Sequence, residues 1–82
     1  MSKGNHVHPT IAALGFPVSD AAVPVWLGDI HRVSSMSHRE SARVLGVKER
    51  NMFYWLAGRK VPGIGTLWKL RRLASAKLDG AV

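Results

Sequence analysis

Apolar positions recur with helical spacing from about residue 24 onward and show no sustained period before it. Trp26, Leu27, Ile30 and Val33 fall at i, i+1, i+4 and i+7, one face of a helix over 24–34. Pro24 suits its first turn, where the missing N–H costs no hydrogen bond, and Ser34 and Ser35 end it. A second helix, 38–45, opens on Ser37 and Glu40, the halves of a capping box in which hydroxyl and carboxylate each satisfy an orphan N–H. Gly46 stands where a left-handed residue closes a helix. A third helix, 49–57, puts Met52, Trp55 and Leu56 on one side, and Phe53 and Tyr54 beside Glu49 and Arg50 on the other. Gly58 ends it. Past a loop, Thr66 is expected to cap a fourth helix over 66–78, with Leu67, Leu70, Leu73, Ala74 and Leu78 as its buried stripe. No strand period is present. The pattern predicts an all-α chain, a compact four- to five-helix bundle containing a helix-turn-helix, with an N-terminal arm.

That arm is residues 1–22, where Gly4, Pro9, Gly15 and Pro17 interrupt any period. Its one candidate for partial order is the Ile11–Leu14 patch, which can pack back as a short turn of helix. Residues 23–82 form the folded domain. At 82 residues there is room for one core, with about 60% of the unfolded surface buried. Apolar residues, 46% of the chain, suffice for that core and argue against global disorder. The absence of cysteine removes disulfides and thiolate metal sites, and fits a reducing, cytoplasmic compartment. Apolar runs are too short for a membrane span, and Pro9, Gly15 and Pro17 break any signal-peptide core.

Charge changes the picture most. Twelve Lys and Arg against five Asp and Glu give +7, and the whole excess lies on 24–82, since Lys3 and Asp20 cancel in the first 23 residues. So compact a cation favours a polyanion, nucleic acid first. Two short helices joined at a glycine provide a means of reading it. Ala42 is small where the second helix must approach the first, Leu45 and Val47 flank Gly46, and Met52 and Trp55 point back into the pair.

The run from Ser37 through Leu45-Gly-Val47 to Trp55-Leu-Ala-Gly-Arg-Lys-Val-Pro62 resembles the Cro/C1-type (Xre-like) helix-turn-helix regulators. The likeness covers 37–62, and about 24–78 with the flanking helices. In size, arm and Tyr-bearing third helix, the chain is also similar to the anti-CRISPR-associated autorepressors. The resemblance implies that helix 49–57 enters the major groove of double-stranded DNA. Glu49, Arg50, Phe53 and Tyr54 would then meet bases: Arg50 bidentate to guanine, Glu49 accepting from a cytosine amino group, Phe53 against a thymine methyl. Ser37, His38, Arg39, Arg43, Lys48, Asn51, Arg59 and Lys60 would hold phosphates. Three positions depart from the family pattern. Ser41 replaces a buried aliphatic, leaving the core underfilled or the helix rotated; Lys48 replaces a capping Ser or Thr; and Phe53 is unusual facing outward.

Trp68 falls beside the buried stripe of the last helix, and with Arg71 and Arg72 it is the expected interface of a homodimer. Such a dimer would read an inverted repeat with half-sites about 34 Å apart. His6 and His8 lack a third metal ligand, the 58–65 segment has no phosphate-loop pattern, and no group of residues suggests catalysis, a cofactor or a small-molecule ligand. The resulting expectation is a sequence-specific transcriptional regulator, most simply an (auto)repressor in a bacterial or phage-infected cell, because so small a chain can act by occupying an operator. The alternatives are an architectural or recombination-directionality factor, and an antitoxin-like protein-binding module.

Overall fold

The computed structural model describes residues 7–80, so His6 and the rest of 1–6 lie outside it. The chain is all-α, with no strand among the described residues. Helix α1 spans Pro9–Ala13, α2 Val23–Ser34, α3 His38–Leu45, α4 Glu49–Leu56 and α5 Ile64–Leu78, with a 3-10 turn at Asp20–Ala22 leading into α2. α2 packs against α4 and α5, α3 against the same two, and α1 closes the bundle against α2 and α5. No helix among the described residues is long and apolar enough to cross a membrane.

Helix ends follow the local signals closely. The Ser37 hydroxyl accepts from the Glu40 N–H at 3.0 Å, as the capping box requires. The Glu40 carboxylate turns mainly to Lys77 Nζ, at 3.0 Å, which ties α3 to α5 and holds its pKa below the usual carboxylate value. At the other end of α3, Gly46 takes φ +76, and the Gly46 and Val47 N–H groups bond to the Arg43 and Ala42 carbonyls. This paired closure satisfies carbonyls that the helix leaves free. It recurs at Gly58 after α4 and, unusually, at Ser35 (φ 58) after α2. α5 starts two residues before the expected Thr66 cap. Gly63 is its N-cap, because the Gly63 carbonyl accepts from the N–H groups of Thr66 and Leu67.

Ile11, Trp26, Leu27, Ile30, Ala42, Met52, Trp55, Leu67, Leu70 and Ala74 form the core, with Leu45, Val47, Leu73 and Leu78 half-buried against it. Within the expected arm the Ile11–Leu14 segment packs back onto the bundle, with Ile11 fully buried. A five-residue helix is too short to show a period. It persists here because His8 caps it, His8 Nδ1 accepting from the Thr10 N–H at 3.1 Å, and because burying Ile11 contributes about 2 kcal/mol. The His8 N–H donates to Ser75 Oγ on α5 and the Trp26 indole N–H to the Gly15 carbonyl, at 3.2 and 2.9 Å. Residues 7–22 are therefore packed onto the domain as part of it.

Candidate nucleic-acid interface

α4 is held from behind by Met52 and Trp55, with Leu56 half-buried against the core beside them, so Glu49, Arg50 and Phe53 face away from it. Glu49, Arg50 and Phe53 are exposed, while Asn51 and Tyr54 are half-buried. Lys48 sits at the N-cap, where its ammonium, a donor only, makes no capping bond. The turn after α4 brings Lys60 back over Tyr54, Nζ lying 5.2 Å from the ring centroid, a distance at which cation and ring attract. Lys48, Arg50, Asn51, Tyr54 and Lys60 line one open depression of about 520 Å³ floored by Gly46 and Val47. The structure thus brings five of the twelve expected DNA-contacting residues into one concavity.

α3 supplies the next group. Ser37 is occupied as its cap, His38 is half-buried, and Arg39 and Arg43 are exposed. His38 reaches α4, where its ring meets Phe53 edge-to-face with centroids 5.8 Å apart. Arg59 is exposed beside Lys60 in the turn. Arg39, Arg43 and Arg59 do not line the depression.

Apart from Glu49, no acid stands on α4 or in the turn after it. Two ion pairs are formed between described residues, Asp29 with Arg32 and Glu40 with Lys77, and His8 Nε2 lies 3.9 Å from Asp79 Oδ1. None uses a cation of α4 or of the turn after it. Glu49 makes no ion pair with Lys48 or Arg50 within 4.0 Å, so it faces outward unneutralised. The surface formed by Lys48, Arg50, Arg59 and Lys60 accordingly carries a net positive field with one acid in it, which is what an anionic ligand requires.

Ser41 is neither rotated outward nor beside an underfilled core. It is fully buried, and the imidazole of His31 on α2 fills the space before it, with Nε2 2.7 Å from Ser41 Oγ. His31 Nδ1 lies 2.8 Å from the Leu27 carbonyl, which can only accept, so Nδ1 carries the proton. In the neutral ring Nε2 then accepts from the Ser41 hydroxyl, whose oxygen also lies 3.1 Å from the His38 carbonyl. Burial pushes the His31 pKa below its ordinary 6.5; the Leu27 bond opposes this, and neighbouring His38 adds to it. The His31 ring also meets the His38 ring edge-to-face, at 4.7 Å. Sequence reasoning missed His31. The available signal was its place on the apolar face of α2, one turn after Leu27, opposite a serine where an aliphatic was expected.

The expected dimer residues divide. Trp68 is 46% exposed, stacked on Phe16 at 4.5 Å, and the Arg71 guanidinium lies 5.2 Å from the Trp68 ring. Arg71 is half-buried, engaged within its own chain, while Arg72 points to solvent. Around Phe16 and Trp68, the exposed side chains of Val18, Val61 and Ile64 make an apolar corner. No group of three or more His, Asp or Glu side chains among the described residues is arranged to hold a metal ion. Comparison with protein-family models, with curated proteins and with solved structures found no match.

Proposed function

We propose that this chain is a sequence-specific double-stranded DNA-binding regulator that inserts α4 into the major groove. Acting as a homodimer on an inverted-repeat operator, it works as a small (auto)repressor. The observation that carries this reading is the set of unpaired cations on α4 and the turn after it, on a helix whose back is locked into the core. Helix α3 supports it, since its capped N-terminus can meet a phosphate beside the groove. The resemblance to Cro/C1-type regulators points the same way, and a cytoplasmic, nucleoid-associated place of action follows from it. A second reading, an antitoxin-like module that binds another protein, draws on the exposed apolar corner of Val18, Ile64 and Trp68.

In-vitro selection from random duplexes, followed by anisotropy across a salt series, tests the first reading against the second. A palindromic winner bound far above random DNA is the expected result. On that duplex Arg50→Ala should cost about 1–3 kcal/mol and relax the preference at one base, whereas Lys60→Ala should weaken all sequences alike and lower the salt slope by about 1. Equal affinity for every duplex would sink operator reading.

A further inference from the structure

Phe53 is the large apolar side chain exposed on α4, 51% accessible among charged neighbours. Helical spacing puts it on the same face as Glu49 and Arg50, one turn earlier. A lone apolar side chain at the surface is ordinary, and this one is available to an apolar group of a ligand. The ring is also braced. His38 meets it edge-to-face with an interplanar angle of 90°, and His31 meets His38 in the same way at 87°. His31 is itself held at both nitrogens, by Leu27 and Ser41, in the core. A line of three rings therefore runs from the interior to the outer face of α4. A ring held in this way loses little side-chain freedom on binding.

Base edges in the major groove present hydrogen-bonding atoms, with one apolar group among them: the methyl at C5 of thymine, which 5-methylcytosine shares. Phe53 carries no hydrogen-bonding group, so only that methyl complements it there. A protein partner fits less well, because the apolar corner of Val18, Ile64 and Trp68 is a separate patch whose concavity Phe53 does not line.

We propose that Phe53, braced by His38, reads the C5-methyl group of a pyrimidine in the major groove, and that buried His31 is a positioning residue for that reader. The inference rests on the DNA reading above; to the thymine contact that the family resemblance implies it adds the extension to methylated cytosine and the positioning of Phe53 by His38 and His31.

The test uses the full chain and the duplex that selection returns. Each thymine is replaced singly by deoxyuridine, which lacks only the methyl, and each cytosine by 5-methylcytosine. One thymine per half-site should show about fourfold weaker binding as deoxyuridine, the size expected for one buried methyl. If the methyl comes from methylated cytosine instead, affinity rises by a similar factor at one cytosine. In Phe53→Ala the ratio of affinities for methylated and unmethylated duplex should fall to near one, and in His38→Ala and His31→Gln it should fall part of the way. That ratio does not change with the fraction of protein folded, so a purely structural role for His31 would leave it intact.

A wild-type ratio near one at every pyrimidine overturns the proposal while leaving DNA recognition standing. So does a Phe53→Ala protein that keeps the wild-type ratio, most clearly if its association state in sedimentation changes instead. A collapsed ratio in Phe53→Ala with an unchanged one in both histidine variants removes the positioning role. Selection that enriches no sequence defeats the DNA reading and this inference together.

Discussion

Helices α3 and α4 are eight residues each, and carry their start and stop signals in adjoining residues: Ser37 before α3, Gly46 between the two, Gly58 just past α4. The corner made by α1, Gly15 and Phe16 has no such independence. It is held by Ile11 in the core, by the Trp26 indole on the Gly15 carbonyl, and by Ser75 accepting from His8, all of them contacts with distant parts of the chain. The two regions also differ in what they present outward: Lys48, Arg50, Arg59 and Lys60 at α4 and the turns beside it, and an apolar corner around Phe16 and Trp68. Short-range chemistry suffices to shape a surface whose charged side chains stay out of the core. A segment with few local signals must spend its side chains on the fold.

The difference is broken most severely at Ile11. Ile11→Ala should cost about 2–5 kcal/mol in urea unfolding, because a fully buried side chain leaves a cavity. Under the proposed DNA-binding reading, affinity per folded molecule should stay unchanged, since α1 packs against α2 and α5. A loss of less than 1 kcal/mol would mean that α1 is an appendage after all.

Ser41 is the point where the α3–α4 region ceases to be local, and it ranks next. Ser41→Ala leaves His31 Nε2 buried without a partner and should cost about 1–3 kcal/mol. The same node sets a pH dependence. The folded pKa of His31 lies below 6.5, so its contribution is fully present above that value. As pH falls, the unfolded chain takes the proton first, and stability declines until the folded pKa is passed. Unfolding free energies at pH 7.5 and pH 5 should therefore drop for the wild-type chain, with a flatter profile in His31→Gln. A His31→Gln profile as steep as the wild type would refute this.

Ser37→Ala, the smallest change, removes one cap bond and should cost about 1 kcal/mol. Hydrogen exchange should register it as fraying confined to the first turn of α3, because the Lys77–Glu40 pair still holds that turn to α5. Exchange spreading through α4 would show that the two helices open as one unit.

Much of the candidate interface was readable because its signals are short-range. Ser37, Gly46 and Gly58 mark helix ends through bonds to neighbours within five residues, and the apolar spacing of Met52 and Trp55 determines which side of α4 turns inward. The outward direction of Glu49, Arg50 and Phe53 follows from that spacing alone. Thr66 misled because a good cap residue is decisive only where the chain leaves the helix start open, and Gly63 already supplied the accepting carbonyl. His31 and Ser41 were illegible as a pair, since residues ten apart on different helices meet only after α2 and α3 cross.

From its sequence alone the chain determined an all-α fold, the position of the α3–α4 turn and the location of its positive charge, because these depend on periodicity, on caps and on which residues ionise. Tertiary structure alone decided that residues 7–22 belong to the bundle, that Ser41 is filled by a histidine, and that Phe53 stands braced at the surface. Each of these depends on a partner far away in the chain, and hydrophobic burial and buried hydrogen bonds select such partners only once the helices have packed.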